Sequence, residues 1–131
     1  MSKLHQTLLT ANFVNLHDDE DFFMIGFADD QFDTNKYLIL QKAKQYSKQD
    51  IELGLDEIYI SFSDEIHSAY GGIKHVILSN DLNVKLEINQ ATSKKLGTNQ
   101  IIIITIDDSK VSYAQLKNYL EIICEQTFSE E

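Results

Sequence analysis

Ile101-Ile102-Ile103-Ile104-Thr105-Ile106-Asp107-Asp108-Ser109-Lys110-Val111-Ser112-Tyr113-Ala114-Gln115-Leu116-Lys117-Asn118-Tyr119-Leu120-Glu121-Ile122-Ile123-Cys124 changes its hydrophobic period half-way along. The first six residues are β-branched and apolar on both faces, which predicts a strand lying centrally in a sheet. Ser112 and Gln115 stand at capping-box spacing, each side chain able to satisfy an orphan backbone N–H, with Val111 and Leu116 at the staple positions. Leu116, Leu120, Ile123 and Cys124 then share one helical stripe, opposite Lys117, Asn118, Glu121 and Glu125. Burying that stripe contributes roughly 6–10 kcal/mol before entropy, at about 1.5–3 kcal/mol per large apolar side chain. The helix is therefore a main part of the core.

Upstream, apolar residues recur with period two, the signal of strands. Residues 8–16 and 22–27 read as an antiparallel pair joined by an acidic turn at His17–Asp21. Residues 37–41 read as the next strand, and 45–53 as a turn of helix or a loop. Residues 57–63 alternate cleanly, with Ile58, Ile60 and Phe62 inward. Residues 74–79 and 84–88 flank Asn80-Asp81-Leu82-Asn83, whose residue types suit a tight reversal. In the second of these strands Val84, Leu86 and Ile88 face one way, Lys85 and Glu87 the other, as in a sheet wetted on one side. Residues 91–96, closed by Gly97, predict a short helix stopped by a left-handed glycine. Strands followed by a packing helix make an α+β domain: a mostly antiparallel sheet of about six or seven strands with one long C-terminal helix on one face. No repeat or linker interrupts the chain, so residues 1–131 are expected to form a single domain.

Charge narrows the function. The 131 residues carry a net charge of −10, and all 11 basic residues are lysine. Nucleic-acid binders lean on a basic stripe and on arginine for bidentate contacts, so direct nucleic-acid binding is not expected. Between Lys3 and Lys36 there is no lysine or arginine, but there are Asp18, Asp19, Glu20, Asp21, Asp29, Asp30 and Asp33. These flank the apolar run Phe22–Phe27, so a strand there would carry an acidic loop at each end. Such a field attracts a basic partner and raises its encounter rate; the plainer reading is solubility. The single cysteine excludes an internal disulfide. The N-terminus lacks the apolar core of a signal peptide, and no run reaches the roughly 20 residues of a membrane span. A cytoplasmic protein without a membrane partner is expected.

Few residues suggest chemistry. His67 and His75, with Glu65 nearby, are too few for a zinc site and read as polar surface histidines. Asp29-Asp30-Gln31-Phe32-Asp33 lacks the glycine of a calcium loop. Cys124 points inward on its stripe, where thiols are inert. No phosphate loop, G-x-S-x-G elbow or H-E-x-x-H motif is present. No metal, cofactor or catalytic residue is expected. Tyr70-Gly71-Gly72-Ile73 is the most distinctive short motif. Adjacent glycines permit positive φ or close backbone approach, with Tyr70 either covering the core edge or anchoring an interface.

Taken in order, Gly26-Phe27-Ala28-Asp29-Asp30, Tyr37-Leu38-Ile39-Leu40-Gln41 and Tyr70-Gly71-Gly72-Ile73 resemble the immunity protein 10 family of bacterial polymorphic-toxin and contact-dependent inhibition systems. The hairpin, the segment ending Leu96-Gly97 and the terminal strand and helix continue the same order. The resemblance implies a stoichiometric inhibitor that binds a cognate toxin domain in the producing cell, without enzymatic activity. On that reading Asp18, Asp19, Glu20, Asp21, Asp29, Asp30 and Asp33 steer a basic, nuclease-like toxin, and Tyr70 is an anchor. Two alternatives stand beside it: a small metal-dependent hydrolase using the acidic loops, and a regulatory homodimer paired through a sheet edge.

Overall fold

The expected first strand is two strands in two sheets. The computed structural model describes residues 6–32, 34–53 and 57–131. In it, β1 (Gln6–Ala11) and β2 (Phe13–Asp18) are separated by Asn12 alone. β2 pairs antiparallel with β3 (Phe22–Ala28), as the acidic turn predicts. β1 instead runs parallel to β9 (Ile101–Ile106), with Gln6 opposite Ile101 and Ala11 opposite Ile106. The corner is pinned from both sides. Asn12 Nδ2 donates to the Asp29 carbonyl (2.9 Å), while Asp108 Oδ2 accepts from the Val14 N–H (2.9 Å) and Asp107 N–H donates to the Ala11 carbonyl (2.8 Å).

The remaining elements are β4 (Tyr37–Ala43), α1 (Lys48–Glu52), β5 (Tyr59–Phe62), β6 (Asp64–Tyr70), β7 (Ile73–Leu78), β8 (Asn83–Ile88), α2 (Gln90–Leu96), α3 (Tyr113–Cys124) and β10 (Phe128–Glu130). Among the described residues the strands form two five-stranded sheets, ordered β1-β9-β8-β7-β10 and β2-β3-β4-β5-β6. The α+β class stands, but the expected single sheet of six or seven strands does not. The second sheet is an antiparallel meander. The first closes with parallel pairs at both edges, β1 on β9 and β10 on β7.

The inner faces of both sheets and the stripe of α3 share one hydrophobic core. Ile102 and Ile104 of β9, Val84 and Leu86 of β8, Ile25 and Phe27 of β3, Leu38 and Leu40 of β4, and Leu116 and Leu120 of α3 are all inaccessible to solvent. β9 is an interior strand, as its composition predicts, but only its inward residues are sealed; Ile101 and Ile103 are half-buried and Thr105 is exposed. α3 begins at the capping box, with Ser112 Oγ accepting from the Gln115 N–H (3.1 Å) and Gln115 Oε1 from the Ser112 N–H (3.1 Å). It lies against β3, β4 and β10 rather than across one sheet, and Tyr119 meets the Phe23 ring edge-on at 6.4 Å. No helix among the described residues is long and apolar enough to cross a membrane.

Gly71-Gly72 is the second corner, where the chain leaves β6 of one sheet for β7 of the other. Both glycines have positive φ, 78° and 86°. α2 is docked onto them: Asn89 N–H donates to the Gly72 carbonyl (2.9 Å) and Thr92 Oγ1 to the Gly71 carbonyl (3.3 Å). A Cβ on Gly72 would lie 1.8 Å from Thr92 Oγ1 and 2.8 Å from Thr92 Cβ. Thr92 is buried and cannot swing away. Gly72→Ala therefore combines left-handed strain with an overpacked contact, an expected loss of roughly 2–4 kcal/mol. A urea unfolding series will read it as a lowered midpoint at unchanged slope.

Candidate functional site

The acidic residues that the sequence singles out lie in two separate loops, one at each end of β3. Across its seven residues β3 spans about 20 Å, so the loops frame the second sheet instead of forming one patch. Asp33 lies outside the described residues.

In the first loop, Asp19 builds the turn. Its Oδ1 accepts from the N–H groups of Asp21 (2.8 Å) and Phe22 (3.0 Å), and its Oδ2 lies 2.8 Å from His17 Nε2. A carboxylate only accepts, so that imidazole nitrogen carries the hydrogen. The His17 bond, followed by the two backbone bonds, lowers the Asp19 carboxyl from 3.8 to about 2. Asp18 pairs with Lys44 (2.6 Å), whose ammonium also sits 4.5 Å above the Phe23 ring. Glu20 and Asp21 are exposed and point their charge to solvent. In the second loop, Asp29 Oδ1 accepts from the Asn35 N–H (3.0 Å) and Asp30 Oδ2 from the Phe32 N–H (3.0 Å). These bonds tie the loop to its own backbone, and Phe32 is 90% exposed.

Between the loops lies the outer face of the second sheet, which no sequence argument beyond Tyr70 singled out. Strand register assembles it in rows. Phe13, Ala28 and Tyr37 form one, and Asn15, Gly26, Ile39, Ser61 and Ser68 the next; His17, Met24, Gln41, Tyr59 and Tyr70 form a third, and Phe22 and Ala43 a fourth. None of these side chains is a lysine or a carboxylate. Most are half-buried among their neighbours and still open to solvent. The Tyr59 and Tyr70 rings meet at an interplanar angle of 59° with centroids 5.3 Å apart, and Tyr70 is 46% exposed. Tyr70 thus belongs to a sheet face and not to an isolated turn. Around Gly26 the face sinks into a hollow of about 340 Å³, lined by Phe13, Met24, Tyr37 and Ile39. The signal was available in β3, where Phe22, Met24 and Ala28 alternate with Phe23, Ile25 and Phe27. With both faces apolar, alternation alone could not say which one is inward.

Other candidate chemistry is not assembled. His67 and His75 stand on β6 and β7, in different sheets, and among the described residues no group of three or more His, Cys, Asp or Glu could hold a metal ion. Burial pushes the Cys124 thiol up to about 12, which leaves it without thiolate at neutral pH.

A family model for immunity protein 10 matches residues 10–114. The chain belongs to the immunity protein 10 family. That match contains both acidic loops, the whole outer face of the second sheet and both corners where the chain changes sheet. No curated relative matches the chain. Immunity proteins are generally non-enzymatic partners of toxins.

The first loop carries a measurable signature. Because the folded Asp19 value lies below its ordinary 3.8, the ionised carboxylate supports the turn above about pH 4. That support is lost as pH falls toward 2. A carboxyl-carbon NMR titration is expected to place Asp19 near 2, and His17→Ala to move it upward, because the imidazole N–H is its largest stabilising contact.

Proposed function

We propose that this chain neutralises a cognate bacterial toxin domain by stoichiometric contact in the cytoplasm of the producing cell, with its acidic loops facing a basic, nuclease-like toxin surface. Membership of the immunity protein 10 family carries the reading. The charge distribution supports its finer part. A net −10 with no arginine disfavours nucleic acid and favours a cationic protein, where carboxylates take the place of a substrate's phosphates. Asp18, Asp19, Asp29 and Asp30 are committed to holding their loops, and among the described contacts the side chains of Glu20 and Asp21 make none. The loop backbone is held by Asp19, Asp29 and Asp30, and Glu20 and Asp21 are the carboxylates left to face a partner.

The partner to test is the C-terminal domain of a secreted protein encoded in the neighbouring upstream frame, the place where a cognate toxin is expected. Co-expression with this chain is expected to rescue cells from it. With Glu20→Lys and Asp21→Lys together, association is expected to slow by about tenfold at low ionic strength and to lose much of its salt dependence. Dissociation should change far less. An unchanged association rate and salt slope would remove the steering role while leaving the inhibition itself standing.

A further inference from the structure

The second sheet contains one residue that the fold does not require. Gly26 lies in the middle of β3, paired on both sides without a bulge, to Asn15 of β2 and Ile39 of β4. Its φ is not positive, and a Cβ built on it would have as its nearest neighbour Asn15 Cβ at 3.8 Å, ordinary van der Waals contact. Glycine inside a strand weakens it and often marks a place where another chain approaches closely. Here it opens the hollow over β2, β3 and β4, beside Gln31 and Thr34 of the second loop, on a face that carries no lysine, aspartate or glutamate. Acidic loops stand at both ends of that face.

We propose that the outer face of the second sheet is the surface that seats the toxin, and that its hollow at Gly26 receives a projecting apolar side chain of the partner. The inference rests on the function proposed above. The chemistry fixes the kind of partner: a protein surface with an apolar crest and lysine or arginine on its flanks. Dimensions support a combined site. Five strands at about 4.8 Å and seven residues at about 3.4 Å make the face roughly 20 Å square, about 400 Å². A standard interface takes about 800 Å² from each partner, so the face supplies the dry centre and the loops, with exposed Phe32, supply the rim. A second copy of this chain fits poorly. Because both ends of the face are acidic, either two-fold arrangement sets carboxylates against carboxylates.

The test is Gly26→Val, measured with the same upstream-encoded toxin domain. A β-branched residue there suits the strand and fills the hollow. The urea midpoint is therefore expected to hold or rise while toxin affinity falls about tenfold or more, through faster dissociation. Tyr70→Ala, which truncates an exposed ring, is expected to weaken binding in the same way and covers the case in which Gly26→Val folds poorly. Leu8→Lys, on the outer face of the first sheet, should bind as the wild type does. If wild-type protein rescues cells and both face variants keep its affinity, this surface is not the interface, and the inhibitory function stands without it. A wild-type chain that neither binds nor rescues overturns both. A concentration-dependent dimer in sedimentation, dispersed by Gly26→Val, would make the face a self-association surface and overturn the assignment.

Discussion

The fold depends on the two places where the backbone leaves one sheet for the other, Asn12 and Gly71-Gly72. Everything between them, β2 to β6, is a meander of neighbours in sequence. Everything outside them builds the first sheet from the two ends of the chain, with β1 lying against β9 although about ninety residues separate them. The meander thus contributes local contacts, and the first sheet carries the costly long-range closure. The glycine corner is the tighter of the two, because α2 docks through Asn89 and Thr92 onto carbonyls that a bulkier residue would push away. With both corners held, the inner face of the meander is sealed by the first sheet and α3. Its outer face is left to solvent.

Local signals were legible and long-range ones were not. The capping box at Ser112, the stripe of α3, the left-handed stop at Gly97 and the hairpin of β7 and β8 depend on residues a few positions apart, and each stands where its chemistry puts it. The single-sheet expectation failed at Asn12. The inward residues change phase there, from Leu9 and Ala11 to Val14 and half-buried Leu16, but a shift of one residue reads as a bulge within one strand as readily as a change of sheet. β6 escaped notice because its apolar residues are sparse and Ile66 is 87% exposed. β10 is only three residues long and is held chiefly by its partner β7. The acidic residues were found from charge, and the apolar run between them already placed a loop at each end of a strand; the pairing of that strand on both sides is what the structure adds.

The face between the loops gives up strand stability at one position. A strand interior favours β-branched and aromatic residues; Phe22, Phe23, Ile25 and Phe27 of β3 follow that rule, and Gly26 departs from it furthest. The exception falls on the outer side, opposite the buried pair Ile25 and Phe27, so it costs cross-strand packing without weakening the core. The surrounding aromatics are partly immobilised before any partner arrives, through register and through contacts such as the Tyr59 and Tyr70 pair. Rings with few rotatable bonds lose little entropy on binding, which suits the slow release that the proposed interface requires.

Electrostatics adds a constraint on how such a surface is approached. At physiological ionic strength a charge is felt over about 8 Å, well under the roughly 20 Å that β3 places between the loops. The two loops therefore act as separate attractors and not as one extended field. A partner with a single basic cluster gains from one loop and can pivot about it, whereas a partner with two clusters is held at both ends and oriented across the sheet. Asp19 and Asp30 spend their hydrogen-bonding capacity on backbone N–H groups within their own loops, so the loops keep their shape while the contact forms. Orientation is then set before the apolar centre closes. On the proposed interface the work divides, the acidic ends governing the rate of capture and the sheet face the lifetime of the complex.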